Sequence, residues 1–116
     1  MPEVSFEENK LNIDDKSISF DLNIYNAIVL DDKVVVMLDV PNENPMLDNI
    51  IAFDFTGQFL WTVQPFKERF PEIKMTTPYV GMFKRDDGNI NATNFYGICV
   101  EISAKDGKIL SKATSR

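Results

Sequence analysis

Carboxylates are the only abundant groups in this chain that could do acid–base chemistry. Eighteen Asp and Glu stand among 116 residues, and there is no histidine. The usual general base, zinc ligand and activator of a nucleophile is therefore missing. Histidine-dependent triads and metal sites are excluded. Two carboxylates set across a cleft can hydrolyse a glycosidic bond, but no spacing here brings a chosen pair together. Asp86-Asp87-Gly88-Asn89 has the composition of a calcium loop. It lacks the alternating ligands and the distal Glu of one, and a hairpin turn accounts for it. Asp14-Asp15 and Asp31-Asp32 read the same way. Asn91-Ala92-Thr93 fits a glycosylation acceptor, without the leader that would make it meaningful. The expectation is a protein that is not an enzyme and needs no cofactor or metal.

Binding is what remains for the acids. A net charge of −6 repels nucleic acid and anionic lipid, and it favours encounter with a basic protein. Solubility is the plainer account of the same charge. Binding residues concentrate on loop tips carried by a rigid scaffold. Asp39, Glu43 and Asp48 bracket one loop, and Asp86 and Asp87 tip another. These five are the candidate partner-binding residues. They form one acidic patch if both loops face the same side, and otherwise a dispersed acidic surface.

The elements that must position them are strands. Ile24 to Val40 has two apolar runs around Asp31-Asp32-Lys33, the pattern of a hairpin. Val34 to Leu38 is apolar throughout, which suits a strand buried on both faces. Pro41 to Asn49 is a loop by its Pro, Asn and acidic residues. Strands are expected at 10–13, 17–20, 49–55, 58–63, 79–84, 90–94, 95–102 and from 108 to about 113, with 90–94 the weakest. Pro65 to Ile73 is the one helical candidate, and Pro71 limits it to about a turn. The class is all-β: an antiparallel meander of about eight to ten short strands. One domain is expected over 1–116, with units at about 1–65 and 66–116. Trp61 and the nine Phe are expected in the core. Tyr79, Phe95 and Tyr96 are the aromatics best suited to a half-wet position. Cys99 is a lone cysteine within GICVEI, expected to be a buried small hydrophobe. MPEVSFEENK lacks the apolar core of a secretory signal, and no apolar run is long enough to span a bilayer. A cytoplasmic protein is expected.

Two stretches repeat. FDFTGQFLWT, Phe53 to Thr62, and ISAKDGKILSK, Ile102 to Lys112, share a strand, a turn with Gly57 or Gly107, a Leu and a returning strand. The glycines stand 50 positions apart, within the period of propeller blades. Two unrelated hairpins with like turns are the alternative. AFDFTGQFLW, Ala52 to Trp61, resembles the Ala-x-Asp-x-x-Thr-Gly-x-x-x-Trp blade motif of quinoprotein-type β-propellers, and SAKDGKIL resembles a degenerate copy. The first copy is one residue short between Asp54 and Thr56. The second has Ser103 for the Asp and Ser111 for the Trp. The resemblance implies that Trp61 docks on a neighbouring blade, and it implies no cofactor. Two blades and an end at Arg116 suggest a half-propeller or a sandwich-like pair of sheets around one core. A monomer is favoured over closure by self-assembly. The exposed edges would be covered by Pro41–Asn49 and Pro65–Pro78, with charge from Lys112 and Arg116.

In type and loose strand pattern the chain also resembles the immunity proteins of bacterial contact-dependent growth inhibition. That resemblance implies an inhibitor of a basic toxin, a nuclease domain foremost, which it neutralises by binding and occlusion. A general interaction module that binds a peptide by edge pairing is the alternative.

Overall fold

The computed structural model describes residues 2–74 and 76–114. Eleven strands and one short helix follow in chain order. β1 Val4–Glu7, β2 Lys10–Ile13 and β3 Lys16–Ser19 form the first sheet. β4 Ile24–Val29, β5 Lys33–Leu38, β6 Ile50–Asp54 and β7 Phe59–Thr62 form the middle sheet. After α1 Phe66–Arg69, the third sheet holds β8 Tyr79–Lys84, β9 Ile90–Asn94, β10 Ile98–Ile102 and β11 Ile109–Thr114. All pairings are antiparallel, and within each sheet a strand pairs only with its neighbours in sequence. The protein is an all-β meander, with β1 an addition to the strands expected from sequence. Of the two spans expected as units, the first holds two sheets and the second holds one.

β5 explains the stacking. Its side chains alternate between two faces, and all six positions are buried. Val35 and Met37 join Ile50, Ala52 and Trp61 in a core shared with Met82, Ile90, Val100 and Ile102 of the third sheet. Val34, Val36 and Leu38 join Phe53 in a second core with Leu11 and Ile13 of the first sheet. The expected single core is therefore two cores, one on each side of the middle sheet. Register enforces the division, because Val35 lies opposite Ala52 and Val34 opposite Phe53. Burying a Val or Ile side chain contributes roughly 1.5–3 kcal/mol. The run VVVML does this for both interfaces at once.

Ile90–Asn94 is central, not weak. It is paired on both sides, and Ile90, Ala92 and Asn94 point into the core. The expected strand 95–102 starts only at Ile98. Asn94 Oδ1 accepts the N–H groups of Tyr96 and Ile98 at 3.0 Å each, and Gly97 has φ +85°, so 94–98 is a turn.

The two hairpins, β6–β7 and β10–β11, are each the last two strands of their sheet. Asp54 N–H donates to the Gln58 carbonyl and Ser103 N–H to the Lys108 carbonyl, so the first turn is one residue shorter. Trp61 of the middle sheet docks on the third. Its Nε1–H donates to the Ala104 carbonyl at 3.1 Å, and its ring lies so close to Gly107 that a Cβ there would sit 2.6 Å from Cε3. The 63–73 segment covers the β11 edge. Arg69 donates to the Ile109 and Leu110 carbonyls, and Gln64 Oε1 accepts the Ile109 N–H. Lys112 lies over the Phe70 ring, while Arg116 falls outside the described residues.

Phe53, Phe66 and Phe70 are buried as expected of core aromatics, but Phe59, Phe83 and Phe95 are exposed. Cys99 is only half-buried. It lies opposite Thr93, whose hydroxyl contacts its Sγ at 3.0 Å, on the face turned away from the core.

Candidate functional site at the open end of the sheets

Alternating strand direction gives the middle and third sheets two common ends. The turns at 30–32, 55–58, 85–89 and 103–108 gather at one end. The segments 39–47, 76–78 and Phe95 gather at the other, while 63–73 runs along β11. The five candidate acids divide between them. Asp86 and Asp87 share a cleft with Asp31, Asp32 and Ala104 at the first end. Asp39 lies at the second end, lining one groove with Pro41, Pro78 and Phe95, and Glu43 and Asp48 are on the same loop. A six-residue strand spans roughly 20 Å, so the five residues do not form one patch.

At the first end most of the carboxylates are engaged locally, while Asp31 and Asp86 are exposed and have no ion-pair partner among the described residues. Asp87 accepts from Asn89 N–H at 3.0 Å and from Arg85 Nε at 3.2 Å. The Asn89 N–H, with Arg85 beside it, holds its carboxyl below the usual range. Asp32 pairs with Lys33 at 3.1 Å. Asp54 accepts the Thr56 hydroxyl and the N–H groups of Thr56 and Gln58, and the hydroxyl bond above all lowers its pKa. The Lys108 N–H lowers that of Asp106. Lys84 and Lys105 line the neighbouring clefts. Among the described residues, no group of three or more Cys, Asp and Glu is arranged to hold a metal ion.

At the second end each acid has a different fate. Asp48 is half-buried and accepts the Phe66 N–H at 3.0 Å, at the start of α1. Burial raises its pKa, against the lowering effect of that bond and of Lys67. Asp39 and Glu43 are exposed, and neither carboxylate has an ion-pair partner among the described residues.

Asp39 stands on the wall of a groove of about 430 Å³ whose lining, among the described residues, includes no Lys or Arg. Its aromatic and aliphatic walls are unusually bare: Phe95 is 74% exposed, Tyr25 58% and Val80 49%. Behind the groove, Asn49 is fully buried. Its Nδ2 donates to the Leu38 and Tyr79 carbonyls at 2.7 and 3.0 Å, and its Oδ1 accepts the Tyr79 N–H at 2.8 Å. This one amide clips the end of β5 to the start of β8 and fixes the groove floor. The Tyr79 hydroxyl is buried without a partner among the described residues. Burial, and then the charge of Asp48, push its pKa upward. Thr77 Oγ1 accepts the Phe95 N–H at 3.1 Å and steadies the rim.

Sequence reasoning singled out Asp39 and Phe95 but not Tyr25, Val80 or Asn49. An exposed Tyr or Val in a strand carries no mark of its surroundings. Asn49 sits at a loop end, where Asn is ordinary.

Charge is as unevenly distributed as shape. Residues 1–62 carry twelve Asp and Glu against three Lys, while residues 63–116 carry six against nine Lys and Arg. Among the described residues, no helix is long and apolar enough to cross a membrane. The model of a domain family of unknown function, DUF7957, matches residues 1–114. No curated protein matches the chain.

Proposed function

The chain belongs to the DUF7957 family, and within it we propose that this protein is an inhibitor of the immunity type, which neutralises a basic protein, foremost a nuclease domain, by occluding it. The observation that carries the reading is the uncompensated negative charge of residues 1–62, with Asp39 and Glu43 exposed and unpaired among the described residues at the open end. A nuclease attracts phosphate with positive potential, and an acidic partner can occupy the same field. Inhibition is steric and electrostatic, without chemistry by this chain. The cytosol is the proposed site of action, where a free thiol such as Cys99 stays reduced.

The scaffold that goes with this reading is an open array of propeller-type blades. In support, the first strands β1, β4 and β8 lie side by side, and Trp61 of one sheet docks on the next. The outward row Ser5, Asn12 and Ser17 of the first sheet has the polar character of a terminal repeat, which favours a monomer.

The test is capture from source-cell lysate on the immobilised chain, with elution by a salt gradient. The expected result is a basic protein released at high salt whose nuclease activity disappears when the chain is added back. Capture of nothing, or only of partners indifferent to salt, would overturn the inhibitor reading in favour of a general interaction module.

A further inference from the structure

Two strand irregularities meet at the groove. β4 pairs Ile24 with Leu38 and Asn26 with Met37, so Tyr25 is an extra residue without a partner. β8 pairs Tyr79 with Asn94 and Gly81 with Thr93, so Val80 is another. Both strands are edges of their sheets, and they lie side by side. A β-bulge re-aims a side chain and interrupts the ladder. Here the two bulges put Tyr25 and Val80, both exposed, on the walls of one groove. They also spoil both edges as templates for an added strand, which argues against recognition by edge pairing.

We infer that the groove receives a protruding segment of a partner protein in which an apolar side chain stands next to a Lys or Arg. The apolar side chain packs against Tyr25, Pro78, Val80 and Phe95, and the cation pairs with Asp39. Charge complementarity selects this occupant. Among the described residues Asp39 is the one charged residue in the lining and its carboxylate is unpaired, and Glu43 lies four positions further along the same loop. An acidic segment would meet uncompensated carboxylates, and a purely polar one would leave the aromatic walls in water. The Asn49 clip holds the floor in place before binding, which lowers the cost of ordering on association. The inference rests on the inhibitor reading only for the partner's overall basic character.

The experiment titrates the isotope-labelled chain with three capped heptapeptides and follows backbone amide resonances. One peptide alternates Leu and Arg, one Leu and Glu, and one Ser and Arg. The Leu/Arg peptide is expected to move the amides of Asp39, Val40, Thr77, Val80 and Phe95. The other two should bind about tenfold more weakly or less, since each lacks one of the two contacts. Asp39→Asn should weaken the Leu/Arg peptide about tenfold, and Asp86→Asn should leave it unchanged. The proposal falls if the Leu/Arg peptide leaves the groove amides unmoved at millimolar concentration. It falls equally if the Leu/Glu peptide binds as well, or if Asp39→Asn has no effect. A doubly substituted chain, Tyr25→Ser with Phe95→Ser, separates this from the broader reading. If it still captures and inhibits a basic nuclease as the parent does, the inhibitor reading stands and the groove proposal is overturned.

Discussion

The two ends of the middle and third sheets set the same residue type in different surroundings. At the turn end, Asp54, Asp87 and Asp106 accept backbone N–H groups within their own turns, and Asp32 and Asp87 are paired with Lys33 and Arg85. At the open end, Asp39 and Glu43 carry no such engagement among the described residues, and Asp39 borders bare aromatic walls. An acid that satisfies a turn has little left to offer a partner. A count of acids therefore does not locate a binding surface. What locates it is a free carboxylate beside bare apolar walls, which Asp39 has and the equally unpaired Asp31 and Asp86 do not.

The contrast can be broken at its largest support first. Asn49→Ala removes three buried hydrogen bonds and strands the Leu38 and Tyr79 backbone groups. It should cost about 3 kcal/mol, read from urea unfolding, and should broaden the amide resonances at the groove while leaving those of the turn end sharp. Next comes Gly107→Ala at the turn end. The new Cβ meets Trp61 and the Thr62 carbonyl at a φ of +78°, for a loss of about 2 kcal/mol. Trp61 is the single tryptophan, so a red shift of its emission would show that the joint between the two sheets has loosened.

Acid separates the ends by sign. The lowered pKa values of Asp54, Asp87 and Asp106 mean that their contribution is present above the ordinary value of 3.8 and is lost as pH falls through the folded-state values. Asp48 is raised, so its contribution is complete below 3.8 and is lost as pH rises through its folded-state value. Urea midpoints measured from pH 3 to pH 7 should show Asp48→Asn gaining on the parent as pH rises. Asp87→Asn should instead lose ground over the same range. The smallest effect on stability belongs to Asp39→Asn with Glu43→Gln, within about 0.5 kcal/mol. The same pair should slow association with a basic partner and flatten its salt dependence. A large stability change with an unchanged salt slope would make these residues structural.

Much of the scaffold was legible because strand period and turn chemistry are local. Tyr79–Lys84 and Ile90–Asn94 lie where pattern puts them, and VVVML declares burial on both faces. β1 was missed because VSFE has only four residues and a mostly exposed pattern. The turn at Asn94 was hidden because FYGICVEI is continuous in apolar character, while the deciding interaction is one side-chain oxygen accepting two N–H groups. The split of the acidic residues between ends follows from strand parity, since β6, β7 and β8 separate the two loops. The groove was not legible. It depends on two bulges in different sheets and on the Asn49 clip, whose partners at Leu38 and Tyr79 are 11 and 30 positions away.

The meander also sets a schedule. No strand waits for a remote one to complete its ladder, a topology that favours quick folding. The cores obey a different clock, because the core that Leu11 and Ile13 belong to is completed by Val34, Val36, Leu38 and Phe53, which come later in the chain. On a ribosome, the first sheet leaves the exit tunnel with its apolar face bare until β5 and β6 have followed it. Those early residues are also among the most acidic of the chain, and mutual repulsion between nascent copies keeps that bare face soluble during the wait.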